Sequence, residues 1–196
     1  MEFEGSFEIE GVTVDEVWLA LSDPVLIKQS LDGCRFFVRV EEEDPDFDAI
    51  REEVDEEDPR TLPEADPEEI AERAFEEDAR YAVEFGTRVG SVNPTFETIV
   101  RITDREFPSM TATAEGAASN SSVELTSWME LTESDDGVVV DWGAETEVFG
   151  RVAQLGGRVI NPVANRIVNR FFGNVEARLT DVGEEGGLGD RIRDLL

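Results

Sequence analysis

Histidine is absent from this 196-residue chain, and cysteine and lysine occur once each, as Cys34 and Lys28. A zinc site of the histidine–cysteine type and a nucleophile activated by histidine both require side chains that the sequence lacks, so both are excluded. A single cysteine cannot form an internal disulfide, and nothing therefore indicates an oxidising compartment. We expect Cys34 to be a buried structural thiol.

Basic side chains are scarce as a class. The chain carries 47 acidic residues against 17 basic ones, which gives a formal net charge of -30 at pH 7. An acid excess with almost no lysine is typical of proteins adapted to concentrated salt, in which carboxylates keep the surface hydrated. The negative field disfavours nucleic acids and anionic membrane surfaces as partners, because both present phosphates.

Long apolar runs are also missing. No uninterrupted apolar stretch approaches the ~20 residues that a membrane-spanning helix needs. A strand-like alternation begins at Glu2, which leaves no room for a signal peptide. We therefore expect a cytoplasmic protein whose membrane contact is at most peripheral.

Strand patterns dominate what is present. Apolar residues alternate with polar ones in seven segments, as in half-buried antiparallel strands. Thr13 and Glu16 form a capping box ahead of a short helix, and Asp23-Pro24 begins a second one, so two helices are predicted between the first two strands. The predicted strands lie around residues 2–10, 34–41, 81–89, 96–102, 110–114, 123–131 and 138–146.

Residues 41–78, here called the insertion, interrupt this pattern. The insertion holds 20 acidic side chains, three arginines and four prolines. One short helix is predicted from Pro67 to about Asp78. We interpret the insertion as a solvated, partly mobile connection between two strands rather than a calcium site, because no loop with regularly alternating ligands is present.

The longest apolar-periodic stretch covers residues 148–179. Its apolar residues recur at helical spacing, and five arginines stand against one acid, Glu176. These arginines are interpreted as a polar helix face paired with carboxylates, and Pro162 predicts a kink near 156–162. Only this helix is long enough to cover the apolar face of the sheet.

These elements predict an α+β fold, in which a seven-stranded curved antiparallel sheet wraps round a long C-terminal helix. A single domain is expected over residues 1–182, followed by a flexible linker and a short amphipathic tail at 183–196. Because a curved sheet and a bent helix enclose space, we expect an apolar cavity between them. The candidate cavity-lining residues are Phe36, Phe85, Phe96, Thr98, Met129, Trp142, Leu155, Val159, Val163 and Ile167.

The inward phase of the strands carries few chemically active groups. Tyr81 and Cys34 are its only ionisable side chains, which disfavours acid–base chemistry. Trp128 and Phe37 fall on the outward phase. Scattered inward hydroxyls either orient a ligand or bond the neighbouring backbone. These hydroxyls belong to Thr87, Thr98, Ser127 and Thr146.

Several short motifs occur together in one known family. They are Val17-Trp18, Leu21-Ser22-Asp23-Pro24, Gly33-Cys34, Val89-Gly90 with Phe96, Asp104, Pro108, Gly116, and above all Ala153-Gln154-Leu155-Gly156 with Arg158, Ile160, Ala164 and Phe171-Phe172. In these motifs the chain resembles the G-subunit family of carbon monoxide dehydrogenase, within the START-like (SRPBCC) superfamily of helix-grip folds. The resemblance covers nearly the whole chain except the insertion and the tail.

The resemblance implies a non-catalytic accessory protein of a molybdenum hydroxylase of the carbon monoxide dehydrogenase type. Its hydrophobic cavity would hold a quinone or lipid, with no metal or other cofactor. Two alternatives stay open: a polyketide cyclase-like or hydrolase-like enzyme of the same superfamily, and a scaffold protein whose cavity has collapsed.

The sequence departs from the family in three places. Asp32 stands where the family usually has proline, and the insertion is longer than the usual connection. Longer relatives carry a membrane-anchoring helix after the domain, whereas this sequence ends at Leu196. We therefore expect no direct membrane anchor.

Overall fold

The computed structural model describes residues 1–54, 58–184 and 192 of the chain. Twelve helices and strands and one 3₁₀ turn are assigned within these residues. In chain order they are β1 (Glu2–Glu10), α1 (Val14–Leu21), α2 (Pro24–Ser30), β2 (Cys34–Val40), α3 (Phe47–Glu53), α4 (Pro67–Arg73), β3 (Arg80–Gly86), β4 (Thr95–Glu106), β5 (Ser109–Ala118), β6 (Ser121–Glu133), β7 (Gly137–Gly150), the 3₁₀ turn (Ala153–Leu155) and α5 (Gly157–Glu184).

The seven strands form one antiparallel sheet in the order β1-β7-β6-β5-β4-β3-β2. Strands that follow one another in the chain from β2 to β7 are neighbours, and β1 pairs with β7. The predicted capping box of α1 is present, since the Glu16 amide donates to Thr13 and the Thr13 amide donates to Glu16. The predicted α+β helix-grip architecture is confirmed, including both helices between β1 and β2.

The closing helix α5 begins later than predicted. Strand β7 continues to Gly150, which pairs with Ser121. The first residues of the predicted helix therefore belong to the sheet. Gly156 adopts a φ of 73°, a left-handed conformation that favours glycine, and α5 starts directly after it. The predicted interruption is therefore located at Gly156, and Pro162 lies inside α5.

A β-bulge in β2 reverses the predicted inward phase of that strand. The pairing with β3 shifts between Cys34 and Phe36, so that Cys34 lies opposite Phe85 but Phe36 lies opposite Glu84. Because side chains alternate with a period of two, one extra residue turns the following side chains to the other face. Phe36, predicted to line the cavity, is instead buried on the outer face, with its ring centroid 6.1 Å from that of Phe47.

The same bulge corrects the prediction for Phe37. Its side chain was expected to point outward, yet its ring lies 5.5 Å from Phe75 and 5.6 Å from Tyr81. Both partners are buried in the main core. Phe37 therefore contributes to the interior of the domain.

The second half of the insertion is not a solvated connection, contrary to the sequence interpretation. Leu62 and Ile70 are fully buried, and Phe75 is 5% exposed. Arg73 donates to both carboxylate oxygens of the buried Asp23, at 2.8 and 2.7 Å. This part of the insertion is therefore packed against α1 and α2 as part of the domain.

The first half of the insertion forms a second helix that the sequence did not predict. Helix α3 lies on the outer face of the sheet, where Arg51 contacts Glu84 of β3 and Glu97 of β4. Phe47 covers Phe36 from the same side. Helices of the insertion thus pack on the outer face of the sheet and on the helices α1 and α2.

The apolar interior consists of two separate clusters. The larger contains Trp18, Tyr81 and Phe172 and lies between the sheet, α1, α4 and the C-terminal half of α5. The smaller surrounds Val89 and Phe96 near the start of α5. Ile192 is buried in the larger cluster, whereas the rest of the predicted tail beyond Glu184 lies outside the described residues.

Candidate functional site

The candidate site lies between the two apolar clusters, on the inner face of the sheet. Phe85, Leu125 and Ala144 point to this face, as does Ile167 from α5, and none belongs to either cluster. All four remain partly exposed to water. Helix and sheet therefore do not close on each other here. We call this region the central gap, with residues Phe85, Thr98, Leu125, Ser127, Ala144 and Ile167.

Short side chains in the middle of the sheet create this space. Ala112, Ala114 and Gly116 alternate along β5 on the inner face, and Ala144 of β7 lies opposite Ser127. A Cβ atom on Gly116 would come within 2.4 Å of the Thr98 hydroxyl oxygen. Glycine at this position therefore leaves room for Thr98 beside it.

The inner hydroxyls divide into two kinds. Ser127 donates to the carbonyl of Ala112 at 3.4 Å, and Thr146 donates to the carbonyl of Glu124 at 3.0 Å. These two bond the neighbouring backbone, which is one of the two roles that the sequence left open. Among the described residues, the Thr98 hydroxyl has no hydrogen-bond partner, so it can interact with a ligand.

The ten predicted lining residues lie in four different places. Phe96, Leu155, Val159 and Val163 pack in or against the smaller cluster, and Met129 and Trp142 pack against the larger. Phe85, Thr98 and Ile167 lie in the central gap, and Phe36 lies on the outer face. The structure thus brings together three of the ten in the gap and six along its two ends.

Trp142 forms the boundary between the central gap and the larger cluster. Its ring lies 6.0 Å from that of Phe172. Gly5 permits this position, because a Cβ atom there would come within 3.0 Å of the Trp142 ring. Trp142 is therefore held between β1 and α5 at one end of the gap.

Two surface pockets, here called openings, flank α5, one towards β3 and the other towards β7. One, of about 290 Å³, is lined by Gly86 and Thr87 on the β3 side and by Ile167 of α5. The other, of about 350 Å³, lies between Thr146 of β7 and Ile160 of α5. Ile167 is shared by the first opening and the central gap, so the first opening adjoins the gap.

Arginines surround the first opening in an otherwise acidic protein. Arg88, Arg166 and Arg170 all line it. Of the five arginines that the sequence interpretation paired with carboxylates, Arg170 pairs with Asp32 at 3.0 Å, whereas the other four form no ion pair with the residues that the structure describes. In the part of the chain that the structure describes, Arg166 has no carboxylate within 4.0 Å, which leaves its guanidinium free to bind a polar group at the opening.

Ionisable groups on the inner face are poorly suited to catalysis at neutral pH. Burial raises the pKa of the Cys34 thiol to about 12, although the positive charge of Lys28 opposes this. The resulting thiol is protonated and unreactive, as expected of a structural cysteine. Burial also raises the pKa of Tyr81, whose phenol oxygen accepts a hydrogen bond from the Glu76 amide at 3.4 Å.

One further charged group reaches the inner face, and the sequence analysis missed it. A register shift in β4 between Ile102 and Asp104 places Arg105 opposite Met110. Its guanidinium carbon lies 5.0 Å above the Trp18 ring, and burial lowers its pKa. Arg105 packs within the larger cluster, away from the central gap.

Residues 1–54, 58–184 and 192 contain neither a metal-binding cluster nor a membrane-spanning helix. No three or more Cys, Asp and Glu side chains in these residues are arranged to hold a metal ion. No helix among them has the length and apolar character required to cross a membrane.

Sequence reasoning also missed the opening and its arginines. Arg88 follows β3, whereas Arg166 lies on α5, and only the packing of α5 beside β3 brings them together. The signal available was the excess of arginine in 148–179. That signal did not show which arginines would lie near the sheet.

Solved structures share this fold. A conserved protein from Geobacillus kaustophilus is 20% identical, with a TM-score of 0.67 over 92% of this chain and 96% of that one. A protein from Thermus thermophilus is 10% identical, with a TM-score of 0.57 over 93% and 99%. Zhui aromatase/cyclase from a Streptomyces species is 11% identical, with a TM-score of 0.54 over 90% and 92%. At these identities the likeness concerns the fold alone.

Sequence comparison identifies the family. No curated protein matches the chain. The family model for CoxG, the G subunit of carbon monoxide dehydrogenase, matches residues 73–180, which include β3 to β7 and most of α5. That span supplies both walls of the central gap and the arginines at its opening. The chain belongs to the CoxG family of carbon monoxide dehydrogenase.

Proposed function

We propose that this protein binds an apolar ligand, a quinone or lipid, in the central gap and serves as a non-catalytic accessory protein of a molybdenum hydroxylase of the carbon monoxide dehydrogenase type. The observation that carries the proposal is the division of the interior into two clusters with partly exposed apolar residues between them. The family membership supplies the partner class.

Ligand binding has a clear driving force at this place. Phe85, Leu125 and Ile167 are apolar side chains that stay in contact with water inside the domain. Covering such surface is worth roughly 25 cal/mol per Å². Ligand sites are typically apolar hollows with a few polar groups that fix orientation, and the central gap has this composition.

The polar end of the ligand is expected at the arginine-lined opening. Arg166 and Arg88 offer hydrogen-bond donors there, and the Thr98 hydroxyl offers another within the gap. A quinone has carbonyl oxygens that accept such bonds and an apolar tail that fits the rest of the gap. The proposed orientation therefore places the head group between α5 and β3.

The chemistry of the inner face supports a binding role over an enzymatic one. A thiol with a pKa of about 12 and a tyrosine with a raised pKa cannot act as base or nucleophile near neutral pH. Arg105 is held in the larger cluster by Trp18. No specific observation favours the cyclase-like or hydrolase-like alternative.

A gap-filling variant tests the proposal. Ser127→Phe adds an aromatic ring inside the central gap, whereas Thr126→Phe adds the same ring to the exposed outer face of the same strand. We expect a short-chain menaquinone, titrated against tryptophan fluorescence, to bind the unmodified protein and Thr126→Phe, and to lose at least tenfold in affinity with Ser127→Phe. Circular dichroism confirms that both variants fold. Equal affinity for all three proteins would place the ligand elsewhere.

A further inference from the structure

Strand β2 has a free edge that the sheet leaves unpaired. Among residues 1–54, 58–184 and 192, it lies at the end of the strand order and pairs only with β3. Within the described residues, no backbone group of 35–40 forms a backbone hydrogen bond outside the sheet, although the Phe36 carbonyl accepts a hydrogen bond from the Cys34 thiol at 3.4 Å. A free strand edge presents a row of amides and carbonyls that can pair with another extended chain.

Two helices turn this edge into a slot of about 890 Å³. Val25 and Lys28 of α2 form one side, and Ala49 and Ile50 of α3 form the other. The chain from Phe36 to Glu42 runs continuously along the floor. The slot is thus long enough for an extended segment of roughly the seven residues of β2.

The interior of this edge slot is apolar. Val38, Val40 and Val54 line it and are partly exposed. An incoming strand that pairs with β2 would place alternate side chains against these residues. Apolar residues at every second position would therefore suit the slot.

The rim of the edge slot is acidic. Its two basic residues are already paired, Lys28 with Asp58 at 2.6 Å and Arg39 with Glu76 at 2.7 Å. The remaining charges on the rim are carboxylates. They belong to Glu42, Asp44, Asp46 and Glu53, since Glu41 lies 3.7 Å from Arg39.

We propose that the edge slot binds an extended, basic segment of another protein, which adds to the sheet as a strand beside β2. Backbone pairing with the free edge supplies the affinity, the apolar floor selects alternate apolar residues, and the acidic rim selects arginine or lysine between them. A second copy of this chain is disfavoured as the occupant, because two acidic rims and two chains of net charge -30 repel each other. The slot lies outside the central gap, so this inference is independent of ligand binding there.

The test uses a synthetic heptapeptide in which arginine and valine alternate, labelled for fluorescence anisotropy. Two matched peptides accompany it, one with glutamate in place of arginine and one with alternate backbone amides methylated. We expect the arginine peptide to bind and each matched peptide to bind at least tenfold more weakly, because one loses the charge match and the other loses the backbone pairing. Hydrogen exchange should slow in β2 on binding.

A plugged variant locates the binding site. Ala49→Trp places a large side chain in the edge slot, and Ala177→Trp makes the same exchange at another exposed helical alanine far along α5. We expect Ala49→Trp to weaken peptide binding at least tenfold and Ala177→Trp to leave it unchanged. Quinone affinity should be the same in both.

Three results would overturn the proposal. The first is no binding of the arginine peptide at a salt concentration where circular dichroism shows a folded protein. The second is equal binding of the methylated peptide or equal binding by Ala49→Trp, which would indicate non-specific charge attraction. The third is a dimer in sedimentation velocity that Ala49→Trp dissociates, which would make a second copy of the chain the occupant.

Discussion

At the scale of single residues, Tyr81 shows how the fold shapes the chemistry of its side chains. The ring is 1% exposed and packs against Phe37 and Phe75. Its phenol oxygen accepts one hydrogen bond, from the Glu76 amide. The buried phenolate would lose hydration, so burial raises the pKa of Tyr81 above its ordinary value of about 10.

Titration of this residue is directly measurable, because the chain has one tyrosine. The folded-state pKa lies above the unfolded one, so the stability that comes from the neutral phenol is present below pH ~10 and is lost as pH rises further. We expect tyrosinate absorbance to appear at higher pH in the folded protein than in urea. The Tyr81→Phe variant should lack this step in stability. A folded-state titration at the ordinary pKa would contradict the burial argument.

The arginine opening gives a second prediction for single residues. Arg166 lines the opening, whereas Arg158 is likewise exposed but lies two turns earlier on α5 and lines neither opening. We expect Arg166→Gln to weaken quinone binding several-fold and Arg158→Gln to leave it unchanged. Titrations of both variants with the short-chain menaquinone check this. An equal loss of quinone affinity in both variants would show that Arg166 acts only through the net charge of the protein.

At the scale of elements, the insertion differs most from its sequence prediction. Among its many acidic residues the insertion contains a few apolar ones, of which Leu62 and Ile70 are fully buried. Asp23 is fully buried as well and accepts hydrogen bonds from Thr61 and Arg73. Composition averaged over 38 residues cannot reveal such contacts, because they depend on three or four positions.

The packing of α4 is testable by truncation of its buried residue. Ile70→Ala should lower the free energy of unfolding by about 2–5 kcal/mol, because it leaves a cavity in the main core. Ile50→Ala in α3 makes the same exchange at a partly exposed position and should cost less. Urea unfolding monitored by circular dichroism gives both values. If Ile70→Ala leaves the free energy of unfolding almost unchanged, the packing of α4 is contradicted and the insertion is a solvated connection.

Strand β2 shows why the site was only partly predictable. The alternation of apolar residues gave the start of this strand correctly and its end to within one residue, since a pattern of period two depends on local sequence. The bulge near Arg35 depends on pairing with β3, and it reversed the side to which Phe36 and Phe37 point. Thr98 precedes the register shift of β4, so its predicted inward direction is retained.

At the scale of the whole molecule, charge dominates behaviour in solution. A net charge of -30 on 196 residues repels itself and favours expansion at low ionic strength. The Debye length, the distance over which salt screens charge interactions, falls to roughly 3 Å at 1 M salt. Several of the surface ion pairs that the structure describes, such as Arg80 with Glu43, contribute little against this repulsion.

Salt should therefore stabilise the protein. We expect the melting temperature at pH 7 to rise steadily with potassium chloride. The rise should shrink near pH 4.1, the sequence isoelectric point, because little net charge remains to be screened. Differential scanning calorimetry at both pH values measures this, and an equal salt effect at the two would show that repulsion is not its cause.

The architecture of the whole molecule was accessible from sequence, whereas the space inside it was not. Seven alternating segments and one long helix leave few ways to cover an apolar sheet, so the fold followed from the pattern. The central gap arises where short side chains such as Ala114 and Ala144 face α5 without filling the interval. Packing of that kind depends on distances between elements, which periodicity does not contain.

The central claim is that the central gap holds one apolar molecule. Native mass spectrometry of the protein, equilibrated with a mixture of membrane lipids and quinones, tests it most directly. We predict one bound molecule per chain in the unmodified protein and in Thr126→Phe, and none in Ser127→Phe. Detection of only the ligand-free mass in all three proteins would contradict the account.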